Sequence, residues 1–140
     1  MINIELKPDV HRPGFYILED IQNLPESARL RMAIRSHVWR PPTDVFETEE
    51  VVVVRVEIAG MEENDFSIVI DGRYLSIRGL RGDVMERRAY HQMEIRFGEF
   101  ATEVELPYPI VVSEIEAVYS NGFLQIRLPK ARPVKISVDE

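Results

Sequence analysis

Three histidines, His11, His37 and His91, and no cysteine make up the chain's stock of imidazole bases and soft metal ligands. A catalytic zinc site needs three protein ligands converging on one point. These histidines are widely spaced and two of them precede residue 41, so no metal site is expected. The lack of cysteine removes disulfides, thiol nucleophiles and thiolate sites together, and it suits a reducing cytosol. Ser113, Glu114 and His91 can be written down as a triad, but no nucleophile elbow frames Ser113. Gly79-Leu80-Arg81-Gly82 carries glycine without a following helix or a Lys-Ser/Thr pair, and it reads as turn material. No G-x-x-x-x-G-K-[ST] phosphate loop occurs elsewhere, which argues against ATP-driven cycling. Glu47, Glu49 and Glu50 read as a solvated, solubilising face. The expectation is a protein that is not an enzyme and uses no cofactor, so function must come from surfaces.

Two segments have the pattern of strands without an obvious place in one fold. Tyr90, His91, Gln92, Met93, Glu94 and Ile95 alternate in polarity after a charged stretch containing Arg81, Asp83, Glu86, Arg87 and Arg88, which is longer than an ordinary hairpin loop. Such a piece can pair with a sheet edge on another copy; equally, it can be a surface loop and an edge strand of its own chain. Val134, Ile136 and Val138 share one face of a tail just beyond Pro129-Lys130-Ala131-Arg132-Pro133, a spacer suited to holding it extended. A tail of this kind can add to a sheet edge and fill pockets with alternate side chains, or it can be the last strand of its own sandwich. Burying three such side chains contributes about 1.5 to 3 kcal/mol apiece before ordering costs, so one docking is reversible and many together hold firmly.

The elements that must position these segments follow from length and period. The chain has 140 residues, 45% of them apolar and 29% charged. That supports a single globular domain with one or two tails. Net charge is −7 overall, but residues 1–40 carry +1 and residues 41–140 carry −8. An acidic domain is a poor match for phosphate backbones, so nucleic acid is not an expected partner. No apolar run reaches the length of a membrane span, and the first residues lack the plan of a signal peptide, giving the expectation of a cytoplasmic chain without a membrane span.

Pro41-Pro42 marks the charge boundary and reads as a hinge. The expected division is an arm over 1–40, a domain over 41–129 and an extension over 130–140. Within the domain the period is two. Val52, Val54, Val56 and Ile58 share one strand face. Phe66, Ile68 and Ile70 lead through Asp71-Gly72 to Leu75 and Ile77. Thr102, Val104 and Leu106 form another alternating run, and Ile115, Ala117 and Tyr119 lead through Asn121-Gly122 to Leu124, Ile126 and Leu128. Asn-Gly is a strong type I′ hairpin signal. The fold class is all-β, an antiparallel immunoglobulin-like sandwich. In the arm, Asn23 and Glu26 suggest a helix start before Ala28, Leu30, Met32, Ala33 and Ile34. Phe15, Tyr16, Ile17, Leu18 and Ile21 form an apolar patch with no home in a sandwich. The arm is thus partly helical or disordered.

Several of these residues also carry a family likeness. Ala117-Val118-Tyr119-Ser120-Asn121-Gly122-Phe123-Leu124 fits an A-x-x-x-N-G-x-L signature, and Ile136-Ser137-Val138 fits an I-x-I/V tail motif. Pro42-Thr43-Asp44-Val45-Phe46-Glu47, Val56-Glu57-Ile58-Ala59-Gly60-Met61, Tyr90-His91-Gln92-Met93-Glu94 and Leu106-Pro107 fall in the expected order. Over about residues 38–138 the chain resembles a small heat-shock protein, with an α-crystallin domain of the bacterial or archaeal type.

The resemblance implies an ATP-independent holdase that binds partly unfolded client proteins, with ATP-dependent chaperones acting downstream. It implies exchange of Tyr90 to Ile95 between two copies, pairing with the strand around Val45, Phe46 and Glu47 to give a homodimer. It implies docking of Val134, Ile136 and Val138 into a groove lined by Phe66, Ile68, Ile70, Ile115, Ala117 and Tyr119, giving higher homo-oligomers. Clients would meet that groove and the arm residues Phe15, Tyr16, Leu18, Leu30 and Ile34. Two departures stand out: Thr102 occupies a position where many relatives carry Arg, and the arm has few aromatic residues beyond Phe15, Tyr16 and Trp39. The alternative from a different class is a monomeric sandwich-type co-chaperone or adaptor that docks a folded partner.

Overall fold

Val52, Val54, Val56 and Ile58 are fully buried, as their alternation demands, and they anchor one of two facing sheets. The computed structural model describes residues 2–7, 37–84, 86 and 88–132. Eight strands are present among them: β1 (Ile4–Lys7), β2 (Thr43–Glu47), β3 (Val51–Glu57), β4 (Phe66–Asp71), β5 (Tyr74–Arg81), β6 (Gly98–Glu105), β7 (Glu116–Ser120) and β8 (Phe123–Pro129). One sheet has the order β1-β4-β5-β6 and the other β2-β3-β8-β7. All pairings are antiparallel except β1 with β4. The inner faces enclose a single core including Ile68, Leu75, Ile77, Phe100, Leu106, Leu124, Ile126 and Leu128. The two-sheet arrangement is the immunoglobulin-like sandwich expected from the period-two pattern.

Both hairpin turns lie where the dipeptides place them. Asn121 has φ 54° and Gly122 φ 82°, the pair of positive values that a type I′ turn requires. Gly72 has φ 59° in the β4–β5 turn. Gly79 does not sit in a turn, contrary to the expectation for Gly79-Leu80-Arg81-Gly82; it lies within β5, opposite Phe66 and Phe100. A Cβ there would come 2.5 Å from the Phe100 ring and 2.9 Å from the Asp65 carbonyl oxygen. The glycine serves close packing, which its dipeptide context does not reveal.

Three local features extend the sandwich beyond residues 41–129. At residues 4–7, where the sequence suggested no element, β1 lies in parallel on the outer edge of β4, with Ile4 opposite Ile68 and Leu6 opposite Ile70. Trp39 bridges to Phe100 at the outer edge of β6: its N–H donates to the Glu99 carbonyl (3.1 Å) and its carbonyl accepts from the Ala101 N–H (3.0 Å). The chain also stays tied to the body past Pro129. The Lys130 N–H donates to the Glu50 carbonyl and the Ala131 N–H to the Pro109 carbonyl, each at 2.8 Å. The expected spacer therefore begins as part of the sandwich. The expected arm helix and the tail strand at 134–138 lie outside the described residues.

Candidate functional site

Among the described residues, no group of three or more His, Cys, Asp or Glu could hold a metal ion. No helix among them is long and apolar enough to cross a membrane. What the fold presents instead is a set of sheet edges and the side chains around them.

The outer edge of β2 is open, as is that of β7 at the other end of the same sheet among the described residues. β2 pairs inward with β3, Val45 opposite Val54 and Phe46 opposite Val53. Among the described residues no strand pairs with its other side. Val45 and Phe46 are 45% and 41% exposed. Unpaired backbone beside exposed apolar side chains is what a second strand completes. Arg55 lies 5.2 Å from the Phe46 ring centroid and pairs with Asp44 at 3.4 Å, both well exposed, so neither contact covers the edge.

The lower end of β2 is fixed by Lys130. Its side chain is fully buried and sits 3.0 Å from Glu47. It donates to the Thr48 carbonyl at 2.7 Å and lies 4.4 Å from the Tyr108 ring centroid. The Tyr108 hydroxyl donates to Glu47 at 3.3 Å. A buried ammonium needs such partners, because an unpaired one would be strongly disfavoured.

The described residues between β5 and β6 (82–84, 86 and 88–97) form no strand. Arg81 anchors their base: its guanidinium donates to the Arg96 carbonyl and lies 4.6 Å from the Trp39 and 5.4 Å from the Phe97 ring centroids. Farther out the segment is held by its own groups, since Arg88 pairs with Asp83 at 3.2 Å and donates to the Val84 carbonyl at 3.0 Å. The expected strand over residues 90–95 does not form within the single chain, and Tyr90, Met93 and Ile95 are exposed. A strand exists only by its ladder, and no described residue of this chain supplies one.

The six residues expected to line a groove all border the core of the sandwich. Phe66, Ile68 and Ile70 are buried on β4, and Ile115, Ala117 and Tyr119 pack partly buried against the same core. The Phe66 and Tyr119 rings lie 5.0 Å apart. The Tyr119 hydroxyl donates to the Ile58 carbonyl at 2.8 Å and accepts from the Met61 N–H at 3.3 Å. The edge of β4 beside them is not vacant, because β1 lies along it and Ile2 is buried in the core. No motif in the first seven residues announced this; their short alternation was the only signal. Thr102 is also buried rather than at an exposed surface, and its hydroxyl meets the Thr43 hydroxyl at 2.9 Å and accepts from Arg40 Nε at 3.2 Å. Val134, Ile136 and Val138, and Phe15, Tyr16, Leu18, Leu30 and Ile34, lie outside the described residues.

The pattern of the Hsp20/alpha crystallin family matches residues 44–139, from β2 through the tail. The chain belongs to that family. Small heat shock protein C2 of Rickettsia felis is 35% identical over 92 residues, covering 64% of this chain and 60% of that protein. Small heat shock protein C4 of the same organism is 30% identical over 107 residues, covering 71% of this chain and 66% of its own length. The chain thus spans somewhat under two thirds of these two relatives. Among solved structures, heat shock protein 16.0 from Schizosaccharomyces pombe superposes with a TM-score of 0.65 at 30% identity, covering 72% of this chain and 96% of that one. A small heat-shock protein from Xylella fastidiosa, whose structure is described as having a distinct high order, gives a TM-score of 0.59 at 28% identity over 73% of this chain and 98% of that one. The sandwich is an α-crystallin domain.

Proposed function

We propose that this chain is an ATP-independent holdase that binds partly unfolded proteins and keeps them from aggregating, working in the cytoplasm as a homo-oligomer built from dimers. The observation that supports the reading is the pairing of a β2 edge and a segment over residues 90–95 that each lack a ladder partner among the described residues. Each supplies what the other lacks. Exchange of residues 90–95 onto β2 of a sister copy, beside Val45, Phe46 and Glu47, satisfies both backbones and covers Phe46, Tyr90, Met93 and Ile95. Such an isologous interface closes at two copies.

The tail motif Ile136-Ser137-Val138 then links dimers by docking at the groove between β4 and β7. Membership of the Hsp20/alpha crystallin family supports this assembly, as does the described high order of the Xylella fastidiosa neighbour. Clients meet the same apolar groove and the arm, and ATP-dependent chaperones take them over afterwards. The mechanism is desolvation of apolar surface, which needs no catalytic group and no cofactor. The division into arm (1–40), domain (41–129) and extension (130–140) is part of this reading, with β1 and Trp39 of the arm seated on the domain.

The test is aggregation of a heat-labile protein, followed by light scattering without ATP. The chain should suppress the scattering signal at near-equimolar subunit ratio; unchanged aggregation would end the holdase reading. Mass measured on the same sample separates the alternative, since a monomer at working concentration fits an adaptor. The double variant Ile136→Ala, Val138→Ala should shrink the assembly towards dimers.

A further inference from the structure

The β4 edge has two claimants within each chain. β1 occupies it, with Ile4 opposite Ile68 and Leu6 opposite Ile70. Ile2 is buried in the core and Ile4 packs against it. The sequence of that occupant, Ile2-Asn3-Ile4-Glu5, repeats the plan of Ile136-Ser137-Val138-Asp139: a β-branched residue, a small polar residue, a second β-branched residue and a carboxylate. The spacing of two puts both branched side chains on one strand face. An edge row of N–H and C=O groups accepts one strand at a time.

We infer that β1 and the tail of a sister copy are alternative occupants of the same β4 edge, so that assembly through the tail requires β1 to leave. This rests on the reading that the tail docks at this groove. β1 is tied to its own sandwich by residues 8–36, which keeps it at high local concentration. A tail can therefore bind only in the fraction of time the edge is free, and its apparent affinity falls by that fraction. Several features make the exchange feasible. β1 has only four residues in its ladder. Leu6 is 54% exposed, so seating β1 leaves part of its apolar surface in water. When displaced, β1 frees Ile2 and Ile4, and it does so on the same subunit whose groove has been filled. Tail docking and display of an apolar amino-terminal segment are thereby coupled, one displayed segment for each docked tail.

The cysteine-free chain allows a direct test. Glu5 and Val69 are register partners, Glu5 exposed and Val69 only partly buried, so the pair Glu5→Cys, Val69→Cys can form a bridge away from the core. Oxidation should pin β1, lower the mass of the full-length assembly towards dimers, and be reversed by reductant. Failure of the bridge to form would overturn the seating of β1. Full mass after oxidation, in a chain whose mass still falls on Ile136→Ala, Val138→Ala, would overturn the competition while leaving tail docking intact. If neither change lowers the mass, the docking reading fails and the inference with it. A second readout uses a peptide of residues 132–140 added to the Ile136→Ala, Val138→Ala chain. Ile4→Ser, at a partly buried position, should tighten its binding about tenfold, whereas equal affinity with and without Ile4→Ser would overturn the inference.

Discussion

Along β4 the outer row of hydrogen-bonding groups is taken by β1; along β2 no described residue takes it, and Val45 and Phe46 stand in water. The two edges belong to different sheets of one sandwich, and each borders apolar side chains. They differ in what the same chain can reach. β4 is met by a short strand that leaves Leu6 half in solvent. The segment between β5 and β6 is held at its base by Arg81 and farther out by Arg88, and its Tyr90, Met93 and Ile95 stay exposed. One edge is thus covered by its own chain, and the other, under the proposed exchange, takes its strand from a sister copy. The difference lies in the geometry of the connection rather than in the strand itself.

The largest test falls on β4, a wall of the core whose outer edge β1 covers. Ile68→Ala should cost about 2–5 kcal/mol, read as a lower denaturant midpoint at unchanged slope. A cost near zero would show that Ile68 does not carry the core. Next comes the fixed end of β2. Lys130→Ala should cost about 2–3 kcal/mol, below the ~3–5 of a fully buried broken pair because Glu47 keeps access to water. The same variant should speed amide exchange near Thr48, and unchanged exchange would mean that Lys130 does not hold β2. The smallest effect on the subunit comes from Val45→Ser with Phe46→Ser. At a dilution where copies are apart, unfolding free energy should move by no more than about 0.5 kcal/mol, since both side chains are already exposed. At working concentration the dimer should be lost. A large loss of subunit stability in the dilute sample would place these residues in the core and remove the contrast between the edges.

The strands that could be read from the sequence are those whose alternation is buried by partners close by in the chain. β4 with β5 and β7 with β8 are hairpins whose Gly72 and Asn121-Gly122 turns announce themselves, and the valines of β3 specify a face without help. β1 was not legible. Its partner lies more than sixty residues away and the pairing is parallel, so no turn marks it. Residues 90–95 show the opposite case: their alternation states a preference, but a ladder needs a second strand, and sequence pattern cannot say in which molecule that strand resides. Lys130 was hidden because a lysine between prolines has the composition of an exposed spacer, and only the convergence of Glu47, Thr48 and Tyr108 makes its burial favourable. The residues expected to line a groove were named only through the family resemblance, while the strand lying beside them carried no such mark.

The position of Lys130 also has a mechanical side. Among the described residues, the last backbone hydrogen bonds to the sandwich are those of Lys130 and Ala131, beside the last residue of β2, where one ammonium grips Glu47 and the Thr48 carbonyl together. Any pull on the residues that follow is therefore borne first by that grip and the two backbone hydrogen bonds next to it, loaded in shear against the end of a strand. The sheets behind it feel tension only after the grip has slipped.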